Sequence, residues 1–230
     1  MPKIVDPEQR RTEIIHGLWA VIYERGIHAV TYQAVAQAAG VSVGRIQHYF
    51  DSKQDLVHAG CRAMVEGAAE AHEQRTDALE PLAALTELLI QPIPRSDAFR
   101  LGSAVWYAYL AQTVADPQIA EIIGGASRET LEYAASLLRS AGAPAPAHEA
   151  ARLVALSNGL AQSVLIGALS PDRATDILGS EVASLRAAVN STDADAGRPA
   201  PSTPSARKSS AQEESASTVR AAPSIATRPP

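Results

Sequence analysis

The sequence predicts an all-α protein. Apolar residues recur at helical spacing through most of the first 190 positions, and no alternating strand pattern extends beyond a few residues. Glycine- and proline-containing breakers divide the chain into segments of helical length. We expect about nine helices, arranged as an N-terminal three-helix unit and a larger helical bundle.

The first helix is predicted to begin at Pro7 and to end before Gly26. Its apolar stripe comprises Ile14, Ile15, Leu18, Trp19, Ile22 and Tyr23. Members of this stripe recur three and four positions apart, so they share one face of the helix. We expect Trp19 to be a core residue that bridges the first and third helices.

The next two helices are short and lie close together. Thr31 is a favourable N-cap for the second helix, and Gly40 ends it because glycine enters the left-handed region without steric cost. Ser42 then caps the third helix, in which Ile46 and Phe50 share one face. Two helices joined by a glycine-containing turn of this length form a helix-turn-helix, whose second helix can lie in a DNA major groove.

The outward face of the third helix carries side chains suited to DNA. Arg45 can fork onto guanine, Gln47 can pair with adenine, and His48 adds an imidazole. Gly44 removes a side chain where the backbone would approach the sugar-phosphate chain. For Val43, contact with a thymine methyl group and packing against the first helix are equally open.

A fourth helix begins with a capping box. Ser52 and Asp55 have the required spacing, and the helix is predicted to continue to about Gln74. Lys53 lies in its first turn, where free backbone N–H groups favour an anion. A phosphate contact is one interpretation of this lysine, and a solvated surface lysine is the other.

Five further helices follow between breakers. Their predicted boundaries are Glu80-Pro81 to before Pro92, Ser96 to about Thr113, Asp116-Pro117 to about Ser140, about Ala147 to Leu169, and Ser170-Pro171 to about residue 190. Ser96 and Asp116 are expected to cap the helices that follow them. From Ser191 onward the chain is rich in Ala, Pro, Ser and Thr, which predicts a disordered tail. The predicted domains are therefore 1–52 for DNA binding, 53–190 for ligand binding and dimerisation, and 191–230 as the tail.

Charge and composition limit the possible functions. The net charge of −5 argues against a protein that simply coats nucleic acid, and residues 1–55 are neutral while residues 56–190 are acidic. The single cysteine, Cys61, excludes an intrachain disulfide, and no pattern indicates a metal site, a cofactor or catalytic residues. An apolar N-terminal segment and a run of ~20 apolar residues are both missing, so we expect a cytoplasmic protein without membrane contact.

The stretch AVAQAAGVSVGRIQHYFDSKQDL, Ala34 to Leu56, resembles the DNA-binding domain of the TetR family of bacterial transcriptional regulators. The family's aromatic pair followed by Ser-Lys is present as Tyr49-Phe50-Asp51-Ser52-Lys53. The resemblance implies a repressor that binds a palindromic operator as a homodimer and is released by a small molecule. The predicted DNA-binding residues are Thr31, Ser42, Val43, Gly44, Arg45, Gln47, His48, Tyr49 and Lys53. The chain has Gln47 where the family often has Tyr, so a base contact here would replace a phosphate contact.

Aromatic residues interleaved with polar ones mark the helix from Ser96 to Thr113. Such a stripe is more often core than ligand site, but TetR-family proteins enclose an inducer pocket in the corresponding helices. The predicted ligand-binding residues are Phe99, Arg100, Trp106, Tyr109, Gln112, Tyr133 and Asn158. The segments Trp106 to Leu110 and Ser157 to Leu160 are also similar to the BetI-like branch of the family.

The last two helices, about 147–169 and 171–189, are predicted to form the homodimer interface. The first of them has small or apolar residues around much of its circumference, more than one monomer's core can cover. A central helix buried within a monomer is the alternative.

Two other classes of function are open. An enzyme would use His148 with Glu149 or His72 with Glu73, but adjacent residues on a helix point about 100° apart and cannot act together. A helical protein-interaction module would use the helix-turn-helix for protein contacts. The outward-facing Arg45, Gln47 and His48 argue against that interpretation.

Overall fold

The computed structural model describes residues 7–196, and in that part of the chain every regular element is helical. The helices are α1 (Pro7–Arg25), α2 (Tyr32–Ala39), α3 (Val43–Tyr49), α4 (Lys53–Thr76), α5 (Pro81–Ile90), α6 (Asp97–Gln112), α7 (Pro117–Ser140), α8 (Pro146–Leu165) and α9 (Pro171–Ala196). The all-α prediction is confirmed. A short 3-10 turn at Ile27–Ala29, for which the sequence carries no clear signal, joins α1 to α2.

Side-chain caps fix most of the helix starts. Thr31, Ser42 and Ser52 each accept a hydrogen bond from the backbone N–H three residues on, at 3.0–3.2 Å. Asp116 accepts two, from the N–H groups of Gln118 and Ile119. Ser96 occupies the predicted N-cap position of α6. Its side chain accepts no capping hydrogen bond, so the side-chain cap expected there is not formed.

Two helix ends differ from their predicted positions. Helix α8 stops at Leu165 and not at Leu169, because Gly167, at φ 77°, turns the chain toward α9. Helix α9 continues to Ala196, past residue 190, where the tail was predicted to begin. The predicted tail from residue 197 to residue 230 lies outside the described residues.

Two apolar cores organise the described chain. The N-terminal core joins α1–α4 to α6 and to the first half of α7, through residues such as Leu18, Ile46 and Ile119. The C-terminal core joins α5, the second half of α7, α8 and α9, through residues such as Leu85 and Leu138. Helix α7 therefore contributes to both cores, which ties the three-helix unit mechanically to the bundle.

Two glycines allow helices to approach closely at the N-terminal core. A Cβ on Gly17 would lie 2.7 Å from the Cβ of Ala39, so α1 and α2 meet where no side chain fits between them. A Cβ on Gly60 would lie 2.4 Å from a Leu18 methyl carbon and 2.7 Å from the Tyr109 hydroxyl. The Trp19 indole N–H donates to the Gly60 carbonyl at 3.1 Å. Trp19 thus bonds α1 to α4, and it packs against the core that also contains Ile46 of α3.

Candidate nucleic-acid interface

The turn between α2 and α3 has the geometry that its sequence predicts. Gly40 adopts φ 65° and ψ 32°, in the left-handed region, and the Val41 N–H donates to the Ala36 carbonyl at 3.0 Å. This hydrogen bond satisfies a carbonyl group near the end of α2. Ser42 starts α3 two residues later, so local hydrogen bonds set the direction of α3, the predicted recognition helix.

Two buried side chains hold α3 against the protein. Ile46 is 0% exposed and Phe50 is 1% exposed, and both belong to the N-terminal core. The Arg11 guanidinium lies over the Phe50 ring, 5.3 Å from its centroid. The recognition helix of seven residues is therefore stabilised mainly by packing, since a helix this short has little stability alone.

The nine predicted DNA-binding residues all reach the surface. Seven are exposed, namely Thr31, Ser42, Gly44, Arg45, Gln47, His48 and Lys53. Val43 and Tyr49 are half-buried and pack against the N-terminal core, and part of each side chain stays accessible. The His48 and Tyr49 rings meet edge to face, with centroids 5.2 Å apart.

Lys53 is positioned by the capping of α4. Ser52 caps the helix, and the Asp55 carboxylate accepts from the Asp51 N–H at 3.3 Å, one residue earlier than a standard capping box requires. Lys53 is the first residue of α4 and is exposed. A cation at this point adds to the free N–H groups of the helix start.

A buried polar contact that the sequence did not predict joins α4 to the start of α7. His58 is 5% exposed, and its Nε2 lies 2.7 Å from the Asp116 carboxylate. Partial burial raises the pKa of Asp116, but hydrogen bonds from His58, the Ile119 N–H and Gln54 outweigh it and hold the pKa below 3.8. Immediately before His58, the Val57 carbonyl accepts from the Tyr109 hydroxyl at 3.1 Å. The first turns of α4 are thus bonded to both α6 and α7.

The seven predicted ligand-binding residues fall into separate environments. Tyr109 is 0% exposed in the N-terminal core, and Trp106 packs at the edge of that core. Phe99 and Arg100 lie near the start of α6, where Arg95 stacks on Phe99 at 4.8 Å and Arg100 donates to the Leu165 carbonyl. Gln112 is half-buried at the end of α6. The remaining two are on α7 and α8: Tyr133 contacts His72, and the Asn158 carbonyl accepts from Tyr107.

Two sequence models of known families match the chain. One, described as "Bacterial regulatory proteins, tetR family", matches residues 14–59, which include the whole helix-turn-helix. The other, "BetI-type transcriptional repressor, C-terminal", matches residues 81–187. The chain belongs to the TetR family. Its BetI-type C-terminal region agrees with the branch resemblance of the sequence.

Curated relatives of this TetR-family chain are transcriptional regulators. It is 29% identical over 112 residues to the HTH-type transcriptional regulator PksA of Bacillus subtilis, a match to 48% of this chain and 55% of the relative. It is 32% identical over 122 residues to the regulator BetI of Serratia proteamaculans, covering 52% and 62%. The chain therefore spans less than two thirds of the length of the curated relatives it matches.

Solved structures show the same fold. A transcriptional regulator from Rhodococcus sp. Rha1 superposes with a TM-score of 0.70 at 23% identity, over 76% of this chain and 95% of that one. A regulator from Saccharomonospora viridis, solved in complex with choline, gives 0.69 at 24% identity, over 75% and 95%.

The last two helices of this TetR-family chain each have one covered and one uncovered face. On α8, Leu153, Leu160 and Val164 are buried in the C-terminal core, whereas Ala155 and Gly159 are exposed. At the end of α8, Ile166 is 71% exposed. On α9, Ala174, Leu178, Val182 and Leu185 face the same core. The alternative of a fully buried central helix does not hold for α8.

The described chain lacks the features of a metal site or of a membrane span. Residues 7–196 contain no cluster of three His, Cys, Asp or Glu side chains placed to hold a metal ion. In the same range, no helix combines the length and the apolar character needed to cross a membrane. Cys61 is buried, and burial raises the pKa of its thiol to about 11.

Proposed function

We propose that this TetR-family chain is a transcriptional repressor that binds operator DNA as a homodimer and is released by a small molecule. The observation that carries the proposal is the exposure of Arg45, Gln47 and His48 on a helix whose opposite face is buried through Ile46 and Phe50. These three side chains present donors and acceptors that match base edges in a major groove. Residues 1–52 would bind DNA, and residues 53–190 would bind ligand and form the dimer, in the cytoplasm.

The dimer would form through α8 and α9. Small exposed residues such as Ala155 and Gly159 allow a second α8–α9 pair to approach closely, which gives an isologous four-helix bundle. A two-fold axis through that bundle would place the two recognition helices about 34–36 Å apart, matched to a palindromic site.

Release by an effector requires two states of the dimer. In one state the two recognition helices match successive grooves of the DNA, and in the other state they do not. The effector must bind the second state more tightly, with a coupling free energy of about 1–3 kcal/mol. Helix α4 is the element that would transmit this change, because its first turns contact α6 and α7 through Tyr109 and Asp116. Choline, bound by the Saccharomonospora viridis regulator, is the first effector to test.

An electrophoretic mobility shift tests the proposal. The purified full chain is incubated at low salt with the DNA upstream of its own gene and with a scrambled fragment of equal length. We expect retardation of the upstream fragment alone, with an affinity that falls steeply as salt increases. Equal retardation of both fragments, or retardation of neither with and without choline, would exclude a specific operator-binding function and leave the protein-interaction alternative.

A further inference from the structure

Among the described residues, His72 is a buried side chain whose two ring nitrogens have no hydrogen-bond partner. Its side chain lies in α4 and is 93% buried, since only 7% of it is exposed. Neither Nδ1 nor Nε2 has a hydrogen-bond partner among the described residues. Buried polar atoms in folded proteins are nearly always paired, so an unpaired imidazole in a binding protein indicates a partner from outside the chain.

The surroundings of His72 come from three helices. On α7, the Tyr133 ring meets the imidazole edge to face, with centroids 5.4 Å apart, and Tyr133 is itself 39% exposed. Arg75 on α4 and Glu87 on α5 form an ion pair nearby, with N and O 3.8 Å apart. The neighbours of the imidazole thus come from α4, α5 and α7, and one of them, Tyr133, also reaches the surface.

Burial and charge favour the neutral form of the His72 imidazole. Burial lowers the pKa of His72 below 6.5, the nearby Arg75 lowers it further, and Glu87 opposes them. A neutral imidazole offers one N–H donor and one bare acceptor nitrogen. A hydroxyl group can accept from the first or donate to the second, whichever tautomer is present. An ionic group in contact with this buried ring would carry a desolvation cost that a hydroxyl does not.

We infer that His72 and Tyr133 form a contact site for a small molecule that bears a hydroxyl group, with His72 as its hydrogen-bonding residue. The inference rests on the proposed function, because it identifies part of the effector site of that regulator. The same imidazole on α4 places the ligand on the helix that leads to Lys53. Ligand binding would thus act directly on the element that carries the DNA-binding unit.

The test uses the full chain labelled with ¹⁵N at histidine, with no DNA present. Choline is titrated in, and ethyltrimethylammonium, which lacks only the hydroxyl, is the matched probe; isopropanol supplies the hydroxyl without the cation. We expect choline or isopropanol to shift the His72 nitrogens saturably while the His58 nitrogens stay unchanged. Ethyltrimethylammonium should leave His72 unshifted. A shift with isopropanol but not with choline supports the site and excludes choline as its ligand.

Variants give the second readout. His72→Phe keeps a ring and removes both nitrogens, so we expect roughly tenfold weaker binding of whichever hydroxyl probe shifts His72, without a lower melting temperature. Thr76→Val is the control, since Thr76 is 8% exposed and its hydroxyl already donates to the His72 carbonyl; binding should be unchanged.

Three outcomes would overturn the inference. One is His72 nitrogens that stay unshifted by both choline and isopropanol. Another is unchanged affinity in His72→Phe, and the third is a clear loss of stability in that variant, which would show an internal water serving the imidazole. If His72→Phe fails to fold, the titrations of the wild type decide. DNA binding with no shift at His72 would reject the inference alone, whereas a shift with no DNA binding would reject the proposed function alone.

Discussion

At the scale of single residues, the proposed DNA interface separates side chains that read bases from those that hold phosphate. Arg45, Gln47 and His48 lie on the exposed face of α3, and Lys53 lies at the first turn of α4. Base contacts carry sequence information, whereas phosphate contacts set register and affinity. The two groups should therefore respond differently to mutation.

Gln47→Ala is predicted to change sequence preference. Loss of a bidentate contact to adenine removes about 1–3 kcal/mol of discrimination at one base position of each half-site.

Lys53→Ala is the matched change, and it should weaken binding nearly uniformly and reduce the salt dependence by about one phosphate contact. Competition binding to operator variants checks both. Equal loss across all sequences for Gln47→Ala would contradict its base-reading role.

Gly17→Ala is predicted to destabilise the three-helix unit. The new Cβ would lie 2.7 Å from the Ala39 Cβ and 2.9 Å from the Ala39 backbone nitrogen, neither of which can move without shifting α2. We expect a loss of about 1–3 kcal/mol in the free energy of unfolding. Gly67→Ala is the control: it has open space around it on an exposed face of α4, and should stabilise by about 0.5–1 kcal/mol. Denaturant titration of both variants measures the difference, and a neutral Gly17→Ala would show that the α1–α2 contact is loose.

At the scale of elements, the sequence predicts helix starts better than helix contacts. Thr31, Ser42, Ser52 and Asp116 each cap the helix that they were expected to cap, because capping depends on residues within one turn. The 2.7 Å contact between His58 and Asp116 joins positions 58 residues apart. No local periodicity reports such a contact.

The same distinction explains the candidate sites. The exposed face of α3 was predictable because Ile46 and Phe50, four residues apart, fix which side of the helix is buried. The predicted ligand site rests largely on aromatic content, which does not distinguish a core ring such as Tyr109 from a ring at a surface such as Tyr133. His72 could not be found by that signal, because its unpaired nitrogens become evident only when three helices are assembled around it.

Asp116→Ala is predicted to cost more stability than an ordinary cap. Asp116 caps α7 through two backbone N–H groups and also pairs with the buried His58. Its loss removes a cap worth about 1 kcal/mol and leaves a buried imidazole unpaired, at about 1–3 kcal/mol. Thr31→Ala, which removes one exposed capping bond, should cost only about 1 kcal/mol. Equal losses in thermal unfolding would show that the His58 contact adds nothing.

At the scale of the whole molecule, stability is predicted to decline as the pH falls below 6.5. Burial, and then Arg75, lower the pKa of His72, so the folded chain takes up a proton less readily than the unfolded chain does. The stabilising contribution is complete above the unfolded value and is lost as the pH falls toward the lowered folded value. Chemical denaturation across this pH range measures the free energy of unfolding. We expect that free energy to decline less with falling pH in His72→Phe than in the wild type. Asp116, whose pKa is also lowered, loses its contribution only below 3.8, so it does not obscure the comparison. A wild-type profile that is flat below pH 6.5 would contradict a buried neutral His72.

The two cores make the molecule a coupled unit. Helix α7 enters the N-terminal core through Ile119 and Ile123 and the C-terminal core through Ala134 and Leu138. A displacement of α7 therefore moves Asp116, and the contact between Asp116 and His58 transmits the displacement to the first turns of α4. This connection gives the proposed repressor a physical route from its bundle to Lys53 and the recognition helix.

The central claim is that two copies of the face formed by Arg45, Gln47 and His48 read one palindromic site. Selection of random DNA by the purified full chain, followed by sequencing, tests it most directly. We predict enrichment of an inverted repeat whose half-site centres lie one helical turn, about 10–10.5 base pairs, apart or a multiple of that spacing. No enrichment at low salt, or enrichment of a single unrepeated site, would contradict the account.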